Sequence, residues 1–414
     1  MLYMAFHLGP TPYQGEGVSE LLAPAWLRMS KVRITDESSE ITRPGFGVFT
    51  LTMTSQQPLV LCWGIISTGG IATQFSKDLL IDPKTRDVHD IKHRIAAIGS
   101  RSVEKAQDFI NTSLGGDKSI KAYGNYEDVY KDADVDVIYV ATPHTYHYEN
   151  ALDAIKAKKH VLCEKPVTSN TAELRSLLAA AKEHDVFFME AMWTRFQPLS
   201  LEFKKISDGG DLGLPVSIHA DLSGNFHIES EDLGPKTRGR GSFGPWPLPI
   251  GAIMALYENP GNSQTKPHIT GSILKTPITG VDRDTSFTLT FNESKLAAQA
   301  VLSCSINTDA LEFGVIVRYE KGSIKVASPI YVPKSYVVQY FGEKGQIVKE
   351  ETRFFEYVGR GMHYQADEVA RCIQTGKKES ALWGHEKSLL EMQIFDEVRK
   401  QGGYQLPPGV EKVV

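Results

Sequence analysis

The residues with the clearest chemical potential lie in a glycine-rich turn near position 69. The chain reads Gly64-Ile65-Ile66-Ser67-Thr68-Gly69-Gly70-Ile71-Ala72, a degenerate G-x-G-x-x-G/A pattern with Ser67 at the first glycine position. Gly69 lets the backbone approach a pyrophosphate, Ala72 permits close helix packing, and the following helix supplies N–H donors. The pattern predicts contacts with a dinucleotide. Taken by itself, the motif fits a tight turn without a ligand equally well. The predicted contact residues are Ser67, Thr68, Gly69, Gly70 and Ile71.

A second informative position follows the next apolar run. An NAD enzyme normally offers Asp or Glu here to the ribose 2′-hydroxyl, whereas this chain reads Ile98-Gly99-Ser100-Arg101-Ser102. The hydroxyl of Ser100 and the guanidinium of Arg101 suit a 2′-phosphate, so the segment predicts NADP. An exposed arginine that merely opens a helix is the alternative interpretation.

A third candidate is the lysine in His160-Val161-Leu162-Cys163-Glu164-Lys165-Pro166. A lysine at the carboxyl end of a buried parallel strand lies where open α/β sheets bind ligands, and it can exchange a proton with a reacting hydroxyl. Lys165 is therefore the predicted catalytic residue, with Glu164 beside it. A Glu-Lys surface pair at a strand end is the alternative.

His144 and His147 form an H-x-x-H pair, the spacing of two metal ligands on one helix face. No acidic residue or cysteine stands near them at the spacing of a third ligand. We therefore predict no metal site.

These residues require a scaffold, and the apolar pattern supplies one from Leu59 onward. Apolar strands alternate with amphipathic helices, which is typical of a parallel sheet covered on both faces. The predicted strands are 59–66, 94–99, 135–141, 160–163 and 186–190, and the predicted helices are 71–80, 103–110, 148–157 and 171–184.

After Pro198 the pattern changes to successive β-rich runs with one helix among them, which favours an antiparallel sheet. The runs are 216–222, 286–291, 297–306, 313–319 and 323–326, the helix is 250–257, and two helices at 364–374 and 385–400 close the chain. The predicted fold class is an α/β Rossmann domain with a doubly wound parallel sheet, plus an α+β substrate domain with an open, mainly antiparallel sheet. The predicted domains are 1–52, a poorly ordered extension; 53–195, which binds NADP; and 196–414, which binds substrate and dimerises.

Composition and charge argue against several classes of protein. A net charge of -5 over 414 residues gives no basic surface for nucleic acid. Four widely spaced cysteines, three of them in apolar runs, indicate reduced core residues and not a disulfide framework. The chain shows no secretory signal and no run long enough to span a membrane, so we expect a soluble, cytoplasmic protein.

Five segments together resemble the Gfo/Idh/MocA oxidoreductase family: GIISTGGIA, IGSRS, ATPHTYHYENAL, HVLCEKP and EAMWTRFQP. Within it, the chain is most similar to dimeric dihydrodiol dehydrogenases and fungal NADP-dependent D-xylose dehydrogenases. The resemblance implies a homodimer that transfers hydride between NADP and an aldose or a trans-dihydrodiol. It also implies that Lys165 is catalytic, that Thr142, Pro143 and His147 lie beside the nicotinamide, and that Trp193 and Arg195 line the pocket. For His147 a structural role, and for Trp193 plain core packing, remain alternatives.

One segment departs from the family. Members carry a G-G-A-L-L-D-x-G-x-Y pattern whose Asp and Tyr lie in the active site, whereas residues 237–251 here are rich in Gly, Arg and Pro and hold neither residue. The loss of an acid-base group leaves a second hypothesis open, a nucleotide-binding sensor or regulator with impaired catalysis.

Overall fold

A computed structural model describes residues 57–225, 249–262, 265–277, 280–293 and 295–414. The predicted extension 1–52 and positions 237–248 of the altered segment lie outside these residues. Both sheets and the helices that pack on them lie within these described residues.

The first sheet is parallel throughout and has six strands in the order β3-β2-β1-β4-β5-β6. This order confirms the predicted doubly wound sheet, with the chain starting at the centre and running to one edge and then the other. The strands are β1 Leu59–Ile66, β2 Ile91–Gly99, β3 Lys121–Tyr123, β4 Val137–Val140, β5 His160–Cys163 and β6 Phe188–Glu190.

Five helices connect these strands, and polar side chains fix where two of them begin. The Ser102 hydroxyl accepts the N–H of Lys105 at the start of α2, and the Asn170 side chain accepts the N–H of Glu173 at the start of α5. The helices are α1 Gly70–Leu79, α2 Val103–Ser113, α3 Glu127–Lys131, α4 His147–Lys156 and α5 Thr171–Glu183.

Aromatic packing forms the centre of this domain. The fully buried Trp63 on β1 packs edge-on against Phe75 of α1, and Phe75 stacks on Tyr139 of β4 with ring centroids 3.8 Å apart. Gly64 is required beside them, because a Cβ at this position would lie 2.8–2.9 Å from side-chain carbons of Val129 and two neighbours. The contact between β1 and α3, the helix that contains Val129, therefore depends on close packing.

The second sheet has eight strands in the order β14-β13-β12-β11-β7-β10-β9-β8. Every neighbouring pair is antiparallel except β7 and β10, so the predicted mainly antiparallel sheet is confirmed. The strands are β7 Pro215–Asp221, β8 His268–Lys275, β9 Asp282–Glu293, β10 Leu296–Ser305, β11 Phe313–Tyr319, β12 Gly322–Ala327, β13 Ser335–Phe341 and β14 Ile347–Phe354.

The prediction of a single helix between Pro198 and the closing helices was wrong. Helix α6, Pro198–Asp208, begins at the proline itself, a residue suited to the first helical turn because its missing N–H would have no partner there. The predicted helix 250–257 is present as the short α7, Pro249–Ala252, followed by a π-helical turn, Ile253–Tyr257.

The closing helices, α8 His363–Gln374 and α9 His385–Gln401, contact both sheets. Helix α8 lies against α1 and β1, and α9 lies against α5 and β8. The Asp78 carboxylate of α1 accepts the backbone N–H groups of Arg360 and Met362 at 2.9–3.1 Å, directly before α8. The C-terminal helices are thus tied to the helix that follows the glycine-rich turn.

The four cysteines are free, and all but Cys62 are buried, as three apolar runs predicted. Within the described ranges, none of the helices combines the length and the apolar character needed to cross a membrane.

Candidate functional site

The loops that follow the parallel strands lie side by side at one edge of the first sheet. Hydrogen bonds link their first residues to the ends of neighbouring strands: Ser67 N–H to Gly99 O at 3.0 Å, Ala141 N–H to Ile66 O at 3.2 Å, Glu164 N–H to Val140 O at 3.0 Å and Ala191 N–H to Cys163 O at 2.7 Å. Every candidate residue from the first sheet therefore emerges at its carboxyl edge, where open α/β sheets bind ligands.

The glycine-rich turn leaves the start of α1 open. Ser67 has a φ of 101°, a conformation that favours glycine, which explains why this motif position usually holds glycine. Gly69 caps α1 without a side-chain hydrogen bond. An added Cβ at Gly70 would meet no atom within 4 Å, so packing within the chain does not require glycine there. The open helix end, with its unpaired N–H groups and positive dipole end, fits a phosphate.

The residues after β2 lie next to this turn. The hydroxyl groups of Thr68 and Ser100 are 3.2 Å apart, and Ser100 is buried with its N–H bonded to Tyr123 O. Arg101 is exposed beside them. A buried hydroxyl and an exposed guanidinium at this edge can both donate hydrogen bonds to a phosphate monoester.

The turn after β5 holds Glu164 and Lys165 at the carboxyl edge, between the loops that follow β4 and β6. The Tyr139 hydroxyl donates to Glu164 Oε1 at 2.5 Å, and the Lys165 N–H donates to Glu164 Oε2 at 3.3 Å. Burial raises the pKa of Glu164, and the Tyr139 hydrogen bond and the Lys165 charge only partly offset it. Lys165 itself is half-buried. The protein can hold such a side chain in place while its ammonium group stays accessible to a ligand.

His147 connects the loops after β4 and β5. Its Nδ1 lies 2.7 Å from Pro166 O and its Nε2 lies 2.9 Å from Thr142 O, and the side chain is buried. Burial lowers the pKa of His147 to about 4, against the effect of both carbonyls. The imidazole is therefore neutral at pH 7 and has one N–H for two carbonyls. This geometry supports the structural role that the sequence left open.

The other two residues after β4 differ in exposure. The Thr142 hydroxyl accepts a hydrogen bond from the side-chain amide of Asn150 at 3.0 Å, while Pro143 is exposed.

Burial, with the nearby Lys165 charge, lowers the pKa of His144 to about 3, so both histidines of the H-x-x-H pair are neutral at pH 7. Across the part of the chain that the structure describes, no group of three or more His, Cys, Asp or Glu is arranged to hold a metal.

Trp193 and Arg195 lie in a short 3₁₀ turn after β6 and face the second domain. The Trp193 ring packs against Tyr331 with centroids 6.2 Å apart, and Arg195 pairs with Glu258 at 3.3 Å. Both side chains are buried, and Glu258 also pairs with Lys387 of α9. They share the edge of the sheet with Lys165, but their described contacts join the two domains.

Sequence reasoning missed three residues that support the site. Tyr139 holds Glu164, Glu190 accepts the Val167 N–H at 3.1 Å just past Lys165, and Glu258 pairs with Arg195. Glu190 carried a usable signal, because a carboxylate at the end of a buried apolar strand requires a partner. In the sequence, Tyr139 resembles an ordinary strand residue, and Glu258 follows a helix whose apolar residues predict packing in the core.

The arrangement as a whole matches the needs of a dinucleotide. The open start of α1 can hold the pyrophosphate, Ser100 and Arg101 can hold a phosphate on the ribose, and Lys165 can meet a polar substrate atom. The described residues thus combine a candidate nucleotide-binding edge with a half-buried lysine.

Comparison with known proteins gives a consistent result. Residues 61–192 match the model of the Gfo/Idh/MocA oxidoreductase family, which has an NAD-binding Rossmann fold. The chain is 34% identical over 376 residues to a D-xylose 1-dehydrogenase (NADP⁺) of Hypocrea jecorina, covering 86% of this chain and 95% of the relative. It is 33% identical over 349 residues to a trans-1,2-dihydrobenzene-1,2-diol dehydrogenase of Danio rerio, covering 83% of this chain and 98% of the relative.

The fold is also found among solved structures. An aldose-aldose oxidoreductase from Caulobacter crescentus, crystallised with glycerol, superimposes with a TM-score of 0.67 at 20% identity, over 83% of this chain and 98% of that chain. At this identity the likeness concerns the two-domain fold alone.

Proposed function

The chain belongs to the Gfo/Idh/MocA oxidoreductase family, and we propose that it is an NADP-dependent dehydrogenase whose substrate is an aldose, oxidised at C1 as D-xylose would be, or a trans-dihydrodiol. One observation carries the proposal. Lys165, which follows β5, lies at the same carboxyl edge of the sheet as the open start of α1 and the Ser100–Arg101 pair.

In this proposal the chain's own residues bind, orient and move one proton. Ser67, Thr68, Gly69, Gly70 and Ile71 hold the pyrophosphate through the turn and the start of α1. When NADP is bound, it supplies the hydride acceptor. Lys165 exchanges a proton with the substrate hydroxyl, and His147 keeps the loop that carries Lys165 fixed against the loop after β4.

NADP is proposed over NAD because the residues after β2 offer no carboxylate for a ribose 2′-hydroxyl. Ser100 and the exposed Arg101 provide a hydroxyl and a guanidinium for a 2′-phosphate. The Hypocrea jecorina relative, whose name specifies NADP⁺, supports the same assignment.

The substrate class rests on the relatives, one named for D-xylose and one for a dihydrobenzene diol. Both compounds present adjacent hydroxyl groups. The test is a panel of aldoses and trans-dihydrodiols, each assayed for NADPH and for NADH formation. We expect NADPH formation with at least one compound of either class. If NADH forms faster than NADPH with every compound that is turned over, the assignment of NADP is rejected. If no compound is turned over, the proposal that the protein is a dehydrogenase is rejected.

A sensor or regulator that binds the nucleotide is the second candidate, and the sequence of 237–251 favours it because it lacks the family's Asp and Tyr. Loss of one acid-base group typically reduces a rate by about 10² to 10⁴. The discriminating experiment compares this chain with a version carrying a G-G-A-L-L-D-x-G-x-Y segment in place of 237–251. A gain of that size in the repaired chain would identify the native segment as a catalytic defect, and equal rates would show that another residue supplies the proton path.

We also propose that the protein forms a homodimer through the open face of the second sheet. On strand β14 of this sheet, Val348 exposes 62% and Phe354 exposes 76% of its surface, and an uncovered apolar face favours a partner. Light scattering at micromolar concentration should give twice the chain mass, and Phe354→Lys should shift it toward one chain mass.

A further inference from the structure

The segment that carries Lys165 runs directly into helix α5, and buried side chains hold its backbone. Pro166 O lies 2.7 Å from Nδ1 of His147, a residue of α4. The Val167 N–H donates to Oε1 of Glu190, the last residue of β6, at 3.1 Å. The backbone on the carboxyl side of Lys165 is therefore fixed by contacts with two other elements.

The same segment ends in a group of four buried residues, Thr168, Ser169, Asn170 and Glu173. The Ser169 N–H donates to Glu173 Oε2 at 2.8 Å, and the Glu173 N–H donates to Asn170 Oδ1 at 2.8 Å. The Thr168 hydroxyl donates to Asn170 O at 2.9 Å. Because reciprocal bonds of this kind fix the start of a helix, the first turn of α5 and the residues before it form one hydrogen-bonded unit.

The 411–413 segment completes the hydrogen bonding of Glu173. The Lys412 N–H donates to Glu173 Oε1 at 2.7 Å, although the two residues are 239 positions apart. The carboxylate thus bridges two backbone N–H groups, that of Ser169 and that of Lys412. Glu173 has no exposed surface, and a carboxylate this buried requires such donors. Burial raises the pKa of Glu173, and both N–H groups oppose this effect.

Asn170 binds the same segment through its side-chain amide. Its Nδ2 donates to Glu411 Oε1 and to Val413 O, both at 2.8 Å. Glu411 in turn lies 3.7 Å from Nη2 of Arg399, which attaches the 411–413 segment to α9. The Asn170 amide therefore has two functions, because its oxygen caps α5 and its nitrogen holds the 411–413 segment.

We propose that the 411–413 segment holds the backbone that follows Lys165 in place, with Glu173 and Asn170 as the residues through which it acts. The connection is short, because Ser169 stands four positions after Lys165 and donates to the carboxylate that also binds the 411–413 segment. The effect on turnover rests on the proposed function. Glu173 and Asn170 are positioning residues in this account, and neither contacts substrate.

Lys412→Pro is the sharpest variant, because proline has no backbone N–H to donate to Glu173. Lys412→Ala is its matched control, since both variants lose the pair between Lys412 Nζ and Glu149 at 3.4 Å and only the proline loses the N–H. With the best substrate of the panel, we expect kcat of Lys412→Pro to fall on the order of tenfold, since displacing a reacting group by about 1 Å can cost about 10² in rate. KM and the Kd for NADPH should stay within a few fold, and Lys412→Ala should match the native chain.

Asn170→Asp tests the second contact and keeps the start of the helix. Aspartate caps a helix as well as asparagine does, so its Oδ1 can still accept the Glu173 N–H. The new carboxylate cannot donate to Val413 O, and its charge opposes that of Glu411. We expect the same fall in kcat with KM retained. Native kcat in both Lys412→Pro and Asn170→Asp, with or without a lower Tm, would show that the segment only stabilises the fold and would overturn the proposal.

Hydrogen exchange followed by mass spectrometry tests the position of the segment directly and needs no turnover. The amides of 165–170 should exchange about fivefold faster or more in Lys412→Pro than in Lys412→Ala, a factor that corresponds to the loss of one hydrogen bond. The peptide that covers β1 should exchange equally in both variants. Equal exchange of 165–170 in the two variants would overturn the proposal. If no compound is turned over, the proposed function fails, while the exchange result still decides this inference.

Discussion

The guanidinium of Arg86 and the carboxylate of Asp367 form a two-point ion pair, with nitrogen-oxygen distances of 2.7 and 2.8 Å, across 281 positions of the chain. Both side chains are almost fully buried. The Trp63 indole N–H donates to His93 Nδ1, so His93 is protonated on Nε2 and donates to Asp367 at 3.0 Å. This network attaches α8 to the core of the nucleotide-binding domain.

Asp367→Asn should destabilise the fold strongly. The amide removes the negative charge that balances Arg86 and turns N–H groups toward its donors, and breaking a buried pair costs about 3–5 kcal/mol. Denaturant unfolding measures the change. Asp90→Asn, which breaks the exposed pair with Arg371, is the control and should cost less than about 1 kcal/mol. Equal losses of unfolding free energy in both variants would show that the buried network stabilises the fold no more than an exposed ion pair does.

Acidification should destabilise the chain below about pH 6.5 through its buried histidines. Burial lowers the pKa of His147 to about 4, below the roughly 6.5 of an unfolded histidine. Its contribution is therefore fully present above about pH 6.5 and is lost as the pH falls toward 4, at up to about 1.4 kcal/mol per pH unit. His147→Gln should flatten the dependence of the unfolding free energy on pH between 6.5 and 5. The exposed His89→Gln is the control, and an equal slope in His147→Gln and the native chain would contradict the expectation.

Arg101→Ala should weaken binding of NADP and spare NAD. The lost charge-assisted hydrogen bond corresponds to about 1.5–3 kcal/mol of binding free energy. Calorimetric titration of both nucleotides checks this, with Arg175→Ala, an exposed arginine of α5, as the control. Similar losses for NADP and NAD would mean that Arg101 does not contact the 2′-phosphate.

Residues 1–52 should be dispensable if the domain boundary we propose is correct. The first strand begins at Leu59, and Met53 precedes it closely. A chain starting at Met53 should keep the Tm and the NADP affinity of the full chain. A lower Tm or failure to fold would place part of the first 52 residues in the core.

The sequence predicted the elements whose signals are local. Strand β1 and its turn were predicted with correct bounds, because a continuous apolar run ends in glycines that open a helix. Strand β14, with nearly every residue exposed, was missed, since an edge strand without a buried face shows no apolar alternation. Helix α6 was missed although Pro198 is a helix-start signal.

Long-range partners could not be predicted from local patterns. Glu391 reads as one of several charged residues on a helix, and only the fold shows that it is completely buried. Asp367 likewise looked like a helix surface residue until its contact with Arg86 placed it in the core. The loops of the candidate site were predictable because strand ends in a parallel sheet share one edge, whereas the residues that support those loops come from distant segments.

The most direct test of the account is NADPH formation by the native chain and by Lys165→Met, measured with the best substrate of the panel and alongside NADPH binding. We expect the variant to lose turnover while its affinity for NADPH stays within a few fold, because the lysine acts on the charge that develops on the substrate oxygen. Lys158→Met, a substitution away from the edge of the sheet, should keep both. Near-normal turnover in Lys165→Met would contradict the central claim and would make the Glu164–Lys165 pair a structural feature of the turn.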